Sequence, residues 1–136
     1  MKTLSALALL LALAGPASAS AAEECADAST QLAVNACAGA ELARADAELD
    51  SVHREVSGKL TGDTALSRLK AAQRLWIQLR DADLAVRYPA ATKANPRARE
   101  GSMYPALYAQ ARTRMTRARI DYLRGEFLEH GGIKAP

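Results

Sequence analysis

The chain has 136 residues, about half of them hydrophobic and a quarter charged, with few aromatics and a formal charge of +3. That length suits one domain with a modest core. No apolar run reaches the ~20 residues of a membrane span.

The first element is a leader. Lys2 supplies a positive start, residues 4–14 an apolar core, Gly15-Pro16 a break, and Ala17-Ser18-Ala19 the small residues of a cleavage site. This order predicts a signal peptide over residues 1–19, cleaved on export to the periplasm or the exterior. Cys25 follows Glu23-Glu24 and no lipidation motif. Loss of Lys2 lowers the charge of the remaining domain, residues 20–128, by one unit, and residues 129–136 read as a flexible tail. Nucleic acid is a poor partner for an exported domain of such small net charge.

Two cysteines remain, Cys25 and Cys37, with only two histidines, His53 and His130, far from them in sequence. In an oxidising compartment this pair predicts a disulfide, and zinc would need more ligands. No metal and no cofactor are expected.

Ala, Leu, Arg, Glu and Gln dominate the rest of the chain, and strand signals are scarce. Ser29 or Thr30 can cap a first helix over 30–60, with Leu42, Ala45, Leu49, Val52 and Val56 as its apolar stripe. Gly58 and Thr61-Gly62-Asp63 end it. Asp63 or Thr64 is the expected cap of a second helix over 64–88, whose buried side reads as Leu69, Ala72, Trp76, Leu79 and Val86. Pro89 stops that helix. Residues 90–103 read as a loop. Pro105 suits the first turn of a third helix, over 105–128, with Leu107, Ala111, Met115, Ala118 and Tyr122 inward. The fold class is all-α, an antiparallel three-helix bundle or a helical hairpin with a third helix.

The second helix carries Gln73, Trp76, Arg80 and Asp81, and the first three share a ridge. A part-buried arginine wants a carboxylate. Asp46 is the expected partner of Arg80, or of Arg119, in a clamp of Asp46, Gln73, Trp76, Arg80 and Arg119 around a largely buried Trp76. A ligand site on Arg80 and Trp76 is the functional alternative. The loop offers Lys93, Arg97, Arg99, Gly101, Ser102 and Tyr104 as a contact tip, although Ser102 also reads as a helix cap. Arg112, Arg114, Arg117, Arg119 and Arg124 make a basic stripe, either solvated or able to hold an anionic envelope component. No nucleophile motif, histidine pair or glycine-rich phosphate loop is present, so the chain reads as a non-enzyme.

Taken in order, these residues resemble the lysozyme inhibitor LprI-like family, small exported helical proteins of the bacterial envelope. The resemblance runs from Cys25 to about Leu123. It rests on Cys25, Thr30 and Cys37; on Ala45-Asp46-x-x-Leu49; on Ala72-Gln73-x-x-Trp76-Ile77-x-x-Arg80-Asp81; and on Gly101-Ser102, Tyr108 and Thr116-x-x-Arg119. The family commonly carries a second cysteine pair, whose places here hold Leu84 and Ala111. The resemblance implies inhibition of lysozyme-like hydrolases. Such enzymes are usually basic, so a domain of small positive charge gains no long-range steering toward them, and contact must rest on local charge, such as Glu23, Glu24, Asp27 and Glu41. The alternatives are a structural or binding protein for an anionic ligand, and an immunity protein against a wall-degrading toxin.

Overall fold

The computed structural model describes Cys25 and residues 28–90 and 100–129. The leader of residues 1–19, the expected tail beyond Glu129, and Lys93, Arg97 and Arg99 lie outside the described residues. Three helices account for nearly all of what is described: α1 (Gln31–Lys59), α2 (Asp63–Arg87) and α3 (Tyr104–Arg124), the last continued by a π-helical turn, Gly125–Glu129. No strand occurs among the described residues, and the class is all-α as expected.

The helix ends follow local chemistry. Thr30 caps α1, its hydroxyl accepting from the Ala33 amide at 3.2 Å. At α2 the expected side-chain cap is absent. Gly62 occupies the cap at φ +91°, where a residue with a Cβ is strained, and Asp63 sits inside the first turn. There its negative charge complements the partial positive charge of the helix start. Pro105 lies in the first turn of α3, as expected. Ser102 does not cap α3, because Met103 is the cap residue and makes no side-chain bond.

Helices adjacent in sequence run antiparallel, so α1 and α3 run parallel, and these two form the main packing. On α1 the buried stripe is Ala38, Ala45, Leu49, Val52 and Val56, with Leu42 partly buried. On α3 it is Ala106, Ala109, Thr113, Thr116, Ile120 and Leu123. Both stripes step by four and three, the period of a coiled-coil seam. Ala38 packs with Ala106 and Ala109 at one end, and Leu49, Val52 and Val56 pack with Ile120 and Leu123 at the other. The ion pairs Glu41–Arg117, Glu48–Arg124 and Asp46–Arg112 flank this seam. Their spacing fits one register, an offset of about 71 residues with flanking pairs five residues to either side, as in parallel coiled coils.

The expected inward face of α3 is therefore corrected. Leu107 and Tyr122 are exposed, and Ala111 and Met115 turn toward α2 rather than α1. Ala106, Ala109, Thr113 and Thr116, too small or too polar to stand out by hydropathy, build the seam together with Ile120 and Leu123. A similar correction applies to α2. Leu69 is buried, but Ala72 is exposed, and Leu79 and Val86 are 60% and 86% exposed. The ridge that α2 turns inward is Leu69, Gln73, Trp76, Arg80 and Leu84, two of whose members are polar. Helix α2 lies against α3, with Leu84 packed among Tyr88, Ala90, Tyr104 and Ala111.

Leu84 and Ala111 are the two positions at which the resemblance noted above implies a second cysteine pair. Both are buried in one cluster. Their apolar contact links α2 to α3.

Candidate functional site

The Cys25–Cys37 disulfide is formed, with Cα atoms 5.5 Å apart. It ties the segment before Thr30 onto the first turns of α1.

Of the expected clamp, four residues meet. Trp76 is partly buried and lies between two guanidinium groups, Arg80 at 5.0 Å and Arg119 at 5.8 Å from its ring centre. The Arg119 Nε donates to Gln73 Oε1 at 3.1 Å, and its guanidinium also lies 5.3 Å from the Tyr122 ring. Such stacking places the cation over the negative face of each ring. Trp76 is thus not sunk at the centre of the bundle, as the sequence suggested, but set in the wall between α2 and α3.

Asp46 does not belong to this group. It accepts from Arg112 at 2.9 Å and from the Thr116 hydroxyl at 3.4 Å, beside the α1–α3 seam. Arg80 is only 6% exposed, yet its carboxylate comes from the next residue, Asp81, at 2.8 Å. Arg80 thus lies along the inward ridge, its buried head beside Trp76 and paired with the half-exposed Asp81. The expected Asp46–Arg80 pair is replaced by these two.

The basic stripe is mostly neutralised. Arg112, Arg117 and Arg124 face Asp46, Glu41 and Glu48 on α1. Glu41, read as part of an acidic contact patch, is engaged in this flanking row. Arg119 has no carboxylate within ion-pair distance among the described residues. Burial lowers its pKa from the ordinary arginine value, while Tyr122 acts in the opposite sense. His53 lies behind it on α1. Its pKa is lowered first by burial and then by Arg119 and Lys70, against a raising effect of Asp50, and its Nε2 is buried without a hydrogen-bond partner among the described residues.

Two cavities meet at Arg119 and Tyr122. One, of about 260 Å³, is lined by Leu60, Ala65, Arg68, Leu69, Ala72 and Phe127 besides these two. The other, of about 280 Å³, adds Trp76, Met115 and Ala118. Tyr122, Phe127 and Arg68 were not singled out from the sequence as site residues. Only the i, i+3 relation of Arg119 to Tyr122 hinted at their shared face.

The expected contact tip divides. Gly101 has φ +92°, which turns the chain into α3, and Ser102 is exposed, its carbonyl accepting from Asn35 Nδ2 at 3.0 Å. Tyr104 is not a contact residue. It is 8% exposed, its hydroxyl accepts from the Ala90 amide at 2.9 Å, and its ring meets that of Tyr88 edge-on at 5.7 Å. A buried hydroxyl needs a partner, and the Ala90 amide, freed by the end of α2, provides it.

The model of the family described as lysozyme inhibitor LprI matches residues 21–123. An uncharacterized protein of Rhizobium meliloti (strain 1021) is 36% identical over 132 residues, covering 88% of this chain and 90% of its own length. No solved structure matches. The chain belongs to the LprI family.

Proposed function

We propose that this chain is an exported, non-catalytic binding protein that inhibits lysozyme-like cell-wall hydrolases. The carrying observation is the family match over residues 21–123, which spans all three helices. The Cys25–Cys37 bridge supports an oxidising compartment. In this reading residues 1–19 are removed on export, 20–128 form the domain and 129–136 are a tail.

The contact is assigned to the connection between α2 and α3. Catalytic carboxylates line a hydrolase cleft, and Lys93, Arg97, Arg99 and Ser102 are donors suited to meet them. The ends of this connection are well held. Tyr104 fixes Ala90, Tyr88 stacks on Tyr104 and Tyr108, and Asn35 holds Ser102. Anchored ends reduce the ordering cost of binding. With Tyr104 buried, exposed Met103 is the apolar neighbour available for contact area.

The test is lysis of cell walls by chicken-type and goose-type lysozymes with the purified mature protein. Inhibition at micromolar concentration is expected, and its loss on combined Arg97→Ala, Arg99→Ala and Ser102→Ala with unchanged helicity. No inhibition of either enzyme would overturn the reading. A second reading, an anionic ligand held by α3, is favoured by one observation, the carboxylate-free Arg119.

A further inference from the structure

Arg119 is half-buried, stacked on two aromatic rings and fixed through Nε by Gln73, yet no carboxylate approaches it among the described residues. Arg112, Arg117 and Arg124 on the same helix all have acidic partners. A partly desolvated guanidinium gains most from a carboxylate that meets it in its own plane. The cavity beside it holds a second cation, Arg68, and no acidic residue lines it among the described residues. The rest of its wall is hydrocarbon and aromatic: Leu60, Leu69, Ala72 and Phe127. Cationic at one edge and apolar within, the site is complementary to an anion that carries a short hydrocarbon chain. Its volume, about 260 Å³, lies just below the usual range for small-molecule sites and suits a medium chain.

We infer that the groove between the start of α2 and the end of α3 binds a medium-chain fatty acid. The carboxylate lies against the Arg119 and Arg68 guanidinium groups, and the alkyl chain fills the lobe lined by Leu60, Leu69 and Phe127. Tyr122 and Trp76 hold Arg119 in place for this, so the cation does not have to be ordered when the ligand arrives. Such binding does not depend on any effect on a hydrolase.

Trp76 is the single tryptophan of the chain and touches Arg119, so its fluorescence reports on the site. Decanoate titrated into the mature protein should give a saturable change with one site per chain, confirmed by calorimetry. Acetate, which lacks the chain, and decanol, which lacks the charge, should each bind at least tenfold more weakly. Arg119→Gln should weaken decanoate at least tenfold. Ala65→Phe, which fills the lobe while leaving Arg119 itself unchanged, should also remove binding while helicity is kept, so the proposal stays open to refutation if Arg119→Gln does not fold. Equal affinity for decanoate and decanol, or unchanged binding by folded Ala65→Phe, would overturn it. Tighter binding of an acetylated acidic peptide than of decanoate, competed by decanoate, would also overturn it, in favour of a protein partner.

Discussion

Asp46 and Arg112 join α1 to α3 at 2.9 Å, and the same carboxylate takes a hydrogen bond from the fully buried Thr116 hydroxyl. One acid thus serves the flank of the seam and a polar group inside it. Asp46→Ala leaves both donors unmatched, and removing a hydrogen-bond partner costs more than the bond is worth. Both charged side chains keep about a third of their exposure, which limits the effect. The expected loss is about 1–3 kcal/mol in urea unfolding. A double-mutant cycle with Arg112→Ala should show coupling, and additive effects would show that the pair is not an energetic unit.

The upper part of the seam is made of small residues. Ala38, Ala106 and Ala109 form one buried cluster, while Leu49, Val52, Ile120 and Leu123 fill the lower part. Ala109→Leu should force the helices apart and cost about 1–3 kcal/mol. Leu107→Ala, the reverse exchange at an exposed site two residues away, should cost less. Thermal melts of both variants decide it, and the reverse ranking would mean that the seam lies on the other face.

Trp76 is partly buried, with guanidinium groups beside it. Trp76→Ala should cost about 2 kcal/mol, below the 3–5 of a fully buried tryptophan. Urea unfolding measures this. A cost near the upper value would return Trp76 to the centre of the core.

Much of the fold was legible in the sequence, and the failures have a common cause. The α1 stripe was legible because Leu42, Leu49, Val52 and Val56 recur at helical spacing along the seam, whereas the equally apolar Leu32 lies exposed off it. On α3 those two properties separate. Ala106, Ala109, Thr113 and Thr116 make most of the seam, where close approach of two helices favours small side chains that carry little hydrophobic signal, and only Ile120 and Leu123 at its end are large and apolar. The larger Ala111–Met115 face, which stood out by periodicity, packs on α2 instead. On α2 the inward ridge includes Gln73 and Arg80, so a search for apolar period alone selected Leu79 and Val86 from a neighbouring face. Gln73, Trp76 and Arg80 share a ridge because helical spacing fixes them, and Arg119 meets that ridge from α3. The partner of Arg80 was missed because distance in sequence says nothing against an adjacent Asp81.

Reduction of Cys25–Cys37 should act locally. The bridge closes a loop with a sequence separation of 12, for which chain entropy gives roughly 3 kcal/mol. Its only described attachment is to the start of α1, so the α2–α3 contact at Leu84 and Ala111 should persist. Hydrogen exchange with and without reductant tests this. Protection should fall around residues 31–38 and hold along α3, and uniform loss would show that the bridge supports the whole bundle.

His53 gives the bundle a specific dependence on pH. Burial and the nearby Arg119 and Lys70 lower its pKa from 6.5, and Asp50 only partly offsets them. The folded chain therefore resists protonation at His53, whereas the unfolded chain accepts it at the ordinary value. As pH falls below 6.5, the unfolded state binds more protons than the folded state, and stability declines. Well above that value both states are neutral at this site and the dependence vanishes. His53→Gln removes the titrating group, so between pH 7 and about pH 5 its melting temperature should fall less than that of the parent chain. Carboxylates also titrate near the lower end of that window, but they do so in both proteins and cancel in the difference. Parallel curves for the two proteins would mean that His53 protonates equally in the folded and unfolded states. A steeper fall for His53→Gln would mean that its pKa is raised, with Asp50 rather than Arg119 as its dominant neighbour.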